Sequence, residues 1–342
     1  MKIWPIATAA VSAILGAGCA ARAEPAPVRA SGADPAPVRM GVVLNGLDNP
    51  FFVAIYEGGR AEARRLDARA TVRSVTSNAD LAGQAAQVRA LVAARKDCYA
   101  VAPITAINLV TALRGVRRPV VVINSPIDRA AAKRARVRTR TYIGTDDFAA
   151  GRLGGAQMAS LLRGSGEVAL LGGWARNVNS GLRLSGFERG IRGTRVSVVA
   201  RVNADYDRTK AEIATGRILR AHPHVSGFFA ANDLMALGIA DAVRAAGKAG
   251  KVRIIGLDGI AEALDAIRAG SISATVSQYP YVMGQMAVEA CAAAARGATS
   301  PARVNAPIAL VTKGNVARAI AAFPRPFQPY SDPFRRLPLR RR

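Results

Sequence analysis

The fold of this protein is decided by the stretch MGVVLNGLDNPFFVAIYEGG, residues 40–59. It begins with a short β-rich run, residues 40–44, and passes within a few residues into a segment that opens at Pro50. Proline suits the first turn of a helix, because the N–H that it lacks would have no helical partner there. Beyond it, Phe52 and Ile55 fall on one helical face. These residues predict a strand that leads directly into a helix.

The same alternation continues along the 342 residues in two blocks. In the first block, further strands are predicted over residues 70–75, 99–102 and 120–123, with helices over 81–94 and 106–114. The second block opens with a strand over residues 141–143, and its further strands are predicted over 167–171, 196–202, 227–230 and 252–255. Strands that alternate with helices through short connections form parallel sheets. The predicted fold class is α/β, with two doubly wound parallel-sheet lobes in tandem.

Residues 1–23 have the features of an export signal. Lys2 supplies a positive start, and the apolar run over residues 6–15 is too short to span a bilayer. Two endings of this segment remain open: cleavage after Ala21-Arg22-Ala23, or a lipoprotein box in which Cys19 is lipidated. Either ending predicts a protein of the periplasm, free or tethered to a membrane by its lipid.

Proline-rich segments flank the predicted lobes. Residues 24–37 repeat a Pro/Ala phrase, which predicts an extended linker because proline fixes φ and removes hydrogen-bond donors. Residues 323–342 are rich in Pro and Arg, and a disordered, solvated tail is favoured there over one that touches anionic lipid. The basic stretch over residues 129–140 has few large apolar residues and is predicted to be a surface loop.

The formal net charge of +25 raises the question of a nucleic-acid partner. The arginines are spread along the whole chain, however, and the few aromatic residues do not alternate with basic runs. The sequence has neither zinc-finger spacing nor an N-terminal helix-turn-helix segment. We therefore expect no nucleic-acid partner.

Catalytic and metal-binding signals are weak. His222 and His224 stand in a turn context without an acidic or cysteine cluster, so no metal site is predicted. The Gly-rich run over residues 151–155 lies inside a predicted helix rather than after a strand, which argues against a phosphate loop. Asp146-Asp147 are predicted to begin that helix. We expect a protein that is not an enzyme and that needs no cofactor.

Cys98 and Cys291 are the cysteines beyond the leader. Two unpaired, buried small side chains are the favoured interpretation. A disulfide between them remains open, because an exported protein reaches an oxidising compartment.

Polar and aromatic side chains follow several predicted strands at the point where each strand ends. Open α/β sheets bind ligands beyond the carboxyl ends of their strands, so these side chains are candidates for one site. Aromatic rings can pack on the apolar faces of a sugar, amides and carboxylates can satisfy its hydroxyls, and an arginine can donate to two adjacent oxygens. The candidate ligand-binding residues are Asn45, Asn49, Phe51, Phe52, Asn124, Ser125, Trp174, Arg183, Tyr206, Asn232, Asp258 and Gln278. Together they predict a site for a small sugar or polyol.

From about Arg39 to Gly314 the chain resembles the sugar-binding proteins of the periplasmic ribose-binding-protein class. The matching phrases occur in order: Asp48-Asn49-Pro50-Phe51-Phe52, Ile143-Gly144-Thr145-Asp146, Ala204-Asp205-Tyr206-Asp207, Phe229-Ala230-Ala231-Asn232-Asp233, Gly256-Leu257-Asp258-Gly259 and Ser277-Gln278-Tyr279-Pro280. The resemblance implies the type I fold of periplasmic binding proteins, in which three hinge strands join two lobes. It places the N-terminal lobe at residues 38–143 plus 279–306 and the C-terminal lobe at 144–278 plus 307–322.

The resemblance also implies a function: a monomer that closes its lobes on a sugar or sugar-like ligand and delivers it to the permease of an ABC transporter. One departure bears on the ligand, since ribose binders carry an Asp-Arg pair where this chain has Asn124-Ser125. We therefore expect a ligand other than ribose, with another pentose, a hexose, a deoxysugar or a polyol left open. The alternative functions are a sugar sensor that engages a chemoreceptor or kinase, and the core of a lactose-repressor-like regulator.

Overall fold

The structure of the protein, a computed structural model, describes residues 36–78 and 80–337. The predicted export signal, the candidate lipidation site Cys19, most of the predicted linker and residues 338–342 lie outside this range. Among the described residues, no helix has both the length and the hydropathy that crossing a membrane requires.

The N-terminal lobe is built on a sheet of six parallel strands. In spatial order they are β11 (Arg303–Asn305), β5 (Thr141–Gly144), β4 (Val120–Ile123), β3 (Cys98–Val101), β1 (Arg39–Val43) and β2 (Arg69–Arg73). The helices of this lobe are α1 (Pro50–Arg65), α2 (Leu81–Ala93), α3 (Arg129–Arg134) and α9 (Pro280–Ala295). The central strands β3 and β4 are buried throughout, as expected of parallel strands covered on both faces.

The C-terminal lobe repeats this plan with one antiparallel strand at its edge. In spatial order its strands are β12 (Ala309–Thr312), β10 (Ala274–Ser277), β9 (Arg253–Asp258), β8 (Val225–Ala230), β6 (Ser165–Gly172) and β7 (Arg195–Asn203), with β12 antiparallel to β10. Its helices are α4 (Asp147–Leu161), α5 (Val178–Ile191), α6 (Arg208–Ala221), α7 (Asp233–Ala245), α8 (Ala261–Ala269) and α10 (Val316–Ala322). The prediction of two doubly wound α/β lobes is confirmed.

The chain passes between the two sheets three times. It leaves the N-terminal sheet after β5, returns from β10 into α9, and crosses again from β11 to β12. Each crossing is short, since only Ala306, Pro307 and Ile308 separate β11 from β12. Short connections of this kind between two lobes form a hinge.

The helix predicted over residues 106–114 is not present. The segment forms successive turns, with bonds that span three residues such as Val110 N–H to Ile107 O at 3.1 Å. The Asn108 side chain donates to Gln84 Oε1 at 2.7 Å, which anchors these turns to α2. The Thr105 N–H donates to Asn108 Oδ1 at 3.0 Å, and the Asn108 N–H donates to Thr105 Oγ1 at 3.1 Å. Local bonds between side chain and backbone compete with a regular helix, so the prediction was wrong.

The surface loop predicted over residues 129–140 contains the short helix α3. Asp128 caps this helix, because its side chain accepts a hydrogen bond from the Ala131 N–H at 2.7 Å. The prediction of a loop without regular structure was therefore wrong for the first half of this segment.

Cys98 on β3 and Cys291 on α9 form a disulfide, with a Cα–Cα distance of 5.6 Å. The favoured prediction of two unpaired cysteines was therefore wrong. The residues are 193 positions apart in sequence, and they meet because α9 packs across β3 after the second crossing of the hinge. The bond ties the returning segment of the N-terminal lobe to its first half.

Residues 323–337 pack against the lobes, so the prediction of a disordered tail was wrong for this segment. Phe334 is fully buried in the hydrophobic cluster of the N-terminal lobe. Phe327 packs against the hydrophobic clusters of both lobes. Together with Tyr330 and Leu337, these two rings supply the apolar surface that binds the segment, although it is also rich in Pro and Arg.

Three carboxylates meet where this tail reaches the N-terminal lobe. Glu62 on α1 and Glu289 on α9 are both 3% exposed, and the Asp332 side chain is 5% exposed. Arg65 contacts both glutamates. Burial, together with the charges of Asp332 and Glu62, raises the pKa of Glu289 to about 9.

We predict that the free energy of unfolding falls as the pH rises, because the folded protein holds a proton on Glu289 that the unfolded chain releases. The folded state holds this proton up to a pH of about 9, whereas the unfolded chain releases it at a pH of about 4.3. The free energy of unfolding therefore falls as the pH rises between these two values. Glu289→Gln keeps the uncharged shape and should flatten the fall in melting temperature over this range. Glu57→Gln, on the exposed side of α1, is the control and should keep the wild-type slope. An unchanged slope in the Glu289 variant would contradict the prediction.

Candidate ligand-binding site

A cavity of about 420 Å³ lies between the carboxyl ends of the two sheets. Asn45 follows β1 and Ser125 follows β4 on the N-terminal side, while Asn232 follows β8 and Asp258 ends β9 on the C-terminal side. Parallel strands bring their carboxyl ends to one edge of a sheet, and the hinge turns these two edges toward each other. The cavity is thus the place where the loops of both lobes converge.

Every candidate residue named from the sequence, except Gln278, lines this cavity. Gln278 is fully buried behind the lining, where it accepts from Arg183 Nη2 at 3.1 Å and donates to Asp258 Oδ1 at 2.6 Å. It therefore supports two lining residues, and its own role in binding a ligand stays a prediction. The binding roles of the lining residues stay predictions.

Helix α1 brings two aromatic rings to the N-terminal wall. Asn49 caps the helix, because its side-chain oxygen accepts from the Phe51 N–H at 2.9 Å. The rings of Phe51 and Phe52 then stand 5.3 Å apart and nearly perpendicular. This wall offers apolar contact to one face of a ligand ring.

Trp174 and Tyr206 form the matching aromatic wall of the C-terminal lobe, with ring centroids 5.0 Å apart. The Tyr206 hydroxyl donates to Asn177 Oδ1 at 2.8 Å, and burial raises the pKa of this hydroxyl, so it keeps its proton. Tyr206 has a φ of +61°, a left-handed conformation that a bulky residue holds only under constraint from its surroundings. The ring is therefore held in place rather than left to rotate freely.

Arg183 and Asp258 form the floor of the cavity. Arg183 is 4% exposed, and its Nε donates to Asp147 Oδ1 at 2.7 Å. This contact needs a close approach of α4 to α5, which Gly151 permits: a Cβ there would overlap the Arg183 backbone carbonyl. The Gly-rich run of α4 therefore serves helix packing.

The lobes also touch directly across the cavity. Asn179 on α5 donates from Nδ2 to the backbone oxygen of Asn124 in the N-terminal lobe, at 3.1 Å. The same oxygen accepts from the Tyr142 hydroxyl at 2.7 Å. Asn124 and Asn179 belong to different lobes, and the arrangement of the lobes in which this bond is made is named the closed arrangement.

The cationic side chains that line the cavity are each paired with a carboxylate. Arg183 pairs with Asp147 at 2.7 Å, and Lys210 pairs with Asp205 at 2.7 Å. Arg208 pairs with Asp241 at 2.8 Å, outside the cavity. The lining thus presents no excess positive charge to a ligand. Within the ranges 36–78 and 80–337, no cluster of His, Cys, Asp and Glu side chains is placed to hold a metal ion.

Sequence reasoning missed part of the lining. The further residues are Asp48, Ser77, Asn78, Asn177, Asn179, Asp205, Asp207, Arg208, Lys210 and Leu234. Ser77 and Asn78 follow β2, and Asn177 follows β6, so the rule that ligands bind at strand ends would have found them if it had been applied to every strand. Arg208 and Lys210, in the first turn of α6, carry no such signal.

The fold and the cavity define a class, that of two-lobed proteins that bind a small solute between their lobes. The chain belongs to the periplasmic binding protein family, because residues 40–299 match its periplasmic binding protein domain. The resemblance to the ribose-binding-protein class is confirmed.

Individual relatives agree with this assignment. The chain is 33% identical to the D-allose-binding periplasmic protein of Escherichia coli, over 71% of this chain and 80% of that protein. It is 31% identical to the ribose import binding protein of Bacillus subtilis, over 80% of this chain and 87% of that protein. Among solved structures, a solute-binding protein of Actinobacillus succinogenes with bound D-allose is 26% identical, with a TM-score of 0.78 over 82% of this chain and 99% of that one.

We predict that Gly151 is required for the helix packing that positions Arg183. Gly151→Ala should force α4 and α5 apart and lower the free energy of unfolding by about 1–3 kcal/mol. Gly181→Ala on α5 is the matched control, since nothing lies within 4 Å of its added Cβ, and it should be neutral or stabilise by about 0.5–1 kcal/mol. Urea denaturation midpoints measure both effects, and equal midpoints for the two variants would refute the role of Gly151.

Proposed function

We propose that this protein captures a neutral sugar or polyol between its lobes and delivers it to the permease of an ABC transporter. The observation that carries the proposal is the polar cavity between the lobes, in which aromatic rings stand beside amide, hydroxyl and carboxylate side chains. Its volume of about 420 Å³ lies in the range of small-molecule sites, about 300–1,000 Å³. The names of the D-allose-binding and ribose import relatives support the same ligand class.

The lining suits hydroxyl groups better than anions. A sugar hydroxyl both donates and accepts, so it needs amides and carboxylates such as those of Asn45, Asn124 and Asp258. A phosphate or carboxylate ligand would need unpaired cations, whereas Arg183 and Lys210 are already paired. These pairings support a neutral ligand.

Delivery would follow from closure of the hinge. A ligand that contacts both lobes stabilises the closed arrangement over open ones by its differential affinity. The Asn179–Asn124 bond, which joins the lobes, adds to that preference. In this proposal the closed pair of lobes is what the permease recognises in the periplasm, and the ligand leaves chemically unchanged.

We expect neutral sugars or polyols to raise the melting temperature of the purified protein. The panel contains D-allose, D-ribose, D-galactose, D-fucose and myo-inositol, with D-galacturonate and D-ribose 5-phosphate as anionic counterparts. A ligand at a hundredfold excess over its Kd stabilises the folded state by about 2.7 kcal/mol through mass action. A shift with at least one neutral compound and with neither anion supports the proposal. The absence of any shift, or a shift with the anions alone, would sink it.

A further inference from the structure

Asp147 is a buried carboxylate for which the proposed function has no role. It lies in the first turn of α4, is 4% exposed and does not line the cavity. Its neighbour Asp146 caps the helix by accepting from the Ala149 N–H at 2.9 Å. Asp147 instead accepts from Arg183 Nε at 2.7 Å. Only the second of the two adjacent aspartates therefore reaches the ligand site, and it does so through Arg183.

The Arg183 guanidinium is held on all sides. Nη1 donates to the Ala231 carbonyl at 2.7 Å, and Nη2 donates to Gln278 Oε1 at 3.1 Å. Asp258, which lines the cavity, has its Oδ1 3.8 Å from Nη1. Although burial opposes the charge, Asp147 raises the pKa of Arg183, so the guanidinium keeps its proton. One positive charge thus lies between two carboxylates.

We propose that Asp147 sets the charge class of the ligand: by neutralising Arg183 from behind the cavity, it makes the site select neutral polyhydroxyl ligands over their carboxylate analogues. A buried arginine without such a partner binds a carboxylate through two parallel bonds. Here a ligand carboxylate would bring a third negative charge to one guanidinium, and discrimination by repulsion of this kind is a common source of specificity. This inference rests on the proposed function, because it concerns the same cavity.

The test is the substitution Asp147→Asn, which keeps the shape and an acceptor for Arg183 Nε but removes the charge. Affinities are measured by calorimetry for two matched pairs of probes, D-galactose with D-galacturonate and D-glucose with D-glucuronate, in which the ring is kept and only C6 is oxidised. We expect the preference for the neutral member to fall by about tenfold or more, because the Arg183 charge is now partly uncompensated. Asp146→Asn, one residue earlier, is the control and should keep the wild-type preference.

Asp147→Glu keeps the charge and should also keep the preference, which separates loss of charge from a general loosening of α4. If the wild-type protein binds a neutral probe and Asp147→Asn retains its full preference, the Asp147 inference is overturned and the proposed function stands. If the wild-type protein binds no neutral probe at all, the proposed function fails and this inference falls with it.

Residues 323–337, here named the C-terminal strap, make a fourth link between the lobes. The strap starts from α10, whose Val316 and Ala319 are buried in the core of the C-terminal lobe. Near its other end, Phe334 is buried in the core of the N-terminal lobe. The three hinge crossings are therefore not the sole route by which one lobe is tied to the other.

Phe327 occupies the middle of the strap, beside the hinge. Its ring centroid lies 6.2 Å from that of Tyr279, at the crossing into α9, and the guanidinium carbon of Arg318 on α10 lies 5.8 Å from it. Arg318 Nη2 also donates to the Phe327 carbonyl at 3.3 Å. Phe327 thus contacts both lobes in the closed arrangement, and a rotation that moves the two contacted surfaces apart would break part of its contacts.

We infer that the C-terminal strap favours the closed arrangement of the ligand-free protein through the contacts that Phe327 makes with both lobes. Phe327→Ala in the full chain should increase the radius of gyration of the ligand-free protein in small-angle scattering. Tyr330→Ala is the matched control, since this aromatic of the same strap packs against the N-terminal cluster alone. Phe327→Leu keeps apolar bulk at the position and should fall between the wild type and Phe327→Ala, which keeps the test open if the alanine variant does not fold. The inference is overturned if the Phe327 variants scatter like the wild type and the Tyr330 control.

Discussion

The buried guanidinium of Arg183 is the group on which the C-terminal half of the cavity depends. A charge at this depth is tolerated only when carboxylates and carbonyl groups satisfy it. Asp147, Ala231 and Gln278 do so from three different elements, α4, the end of β8 and the end of β10. The positions of these elements are therefore coupled through the one guanidinium.

The N-terminal lobe is organised differently. Its contribution to the cavity comes from the segment between β1 and α1 and from the turns after β2 and β4. Helix α9 supplies much of the hydrophobic cluster of this lobe. The Cys98–Cys291 disulfide bonds α9 to β3, and Phe334 is buried in the same hydrophobic cluster as residues of α9. A segment that leaves the lobe and comes back more than a hundred residues later gains most from such cross-links, because loop closure costs conformational entropy. Rigid lobes are what a hinge requires in order to convert ligand contacts into closure.

Much of the fold and of the cavity lining could be predicted from the sequence because both depend on local patterns. The strand–helix alternation from Met40 onward reflects hydrophobic periodicity, so the two parallel sheets followed from it. Asn49 at the start of α1 and Asn232 at the start of α7 stand at strand ends, and strand ends share one edge of a sheet. Most of the cavity lining was accessible to the same rule, because topology brings the side chains at the strand ends together.

Other features depended on contacts between residues distant in sequence, which no local pattern encodes. Asp147 and Asp146 are indistinguishable as a helix start, yet the packing of α5 turns one of them into the partner of Arg183. Gln278 was expected beside the ligand, and the structure adds that it is buried and donates to Asp258. The composition of residues 323–337 indicated disorder, whereas two aromatic rings find apolar surfaces that exist only after both lobes have folded. The sequence by itself determined the sheets and the edge at which the ligand site lies, since these follow from periodicity and strand direction, while the hinge was expected only from the resemblance to a known family. Only the tertiary structure decided which charges are paired, which cysteines are bonded and what crosses the hinge, because those depend on distances between separate elements.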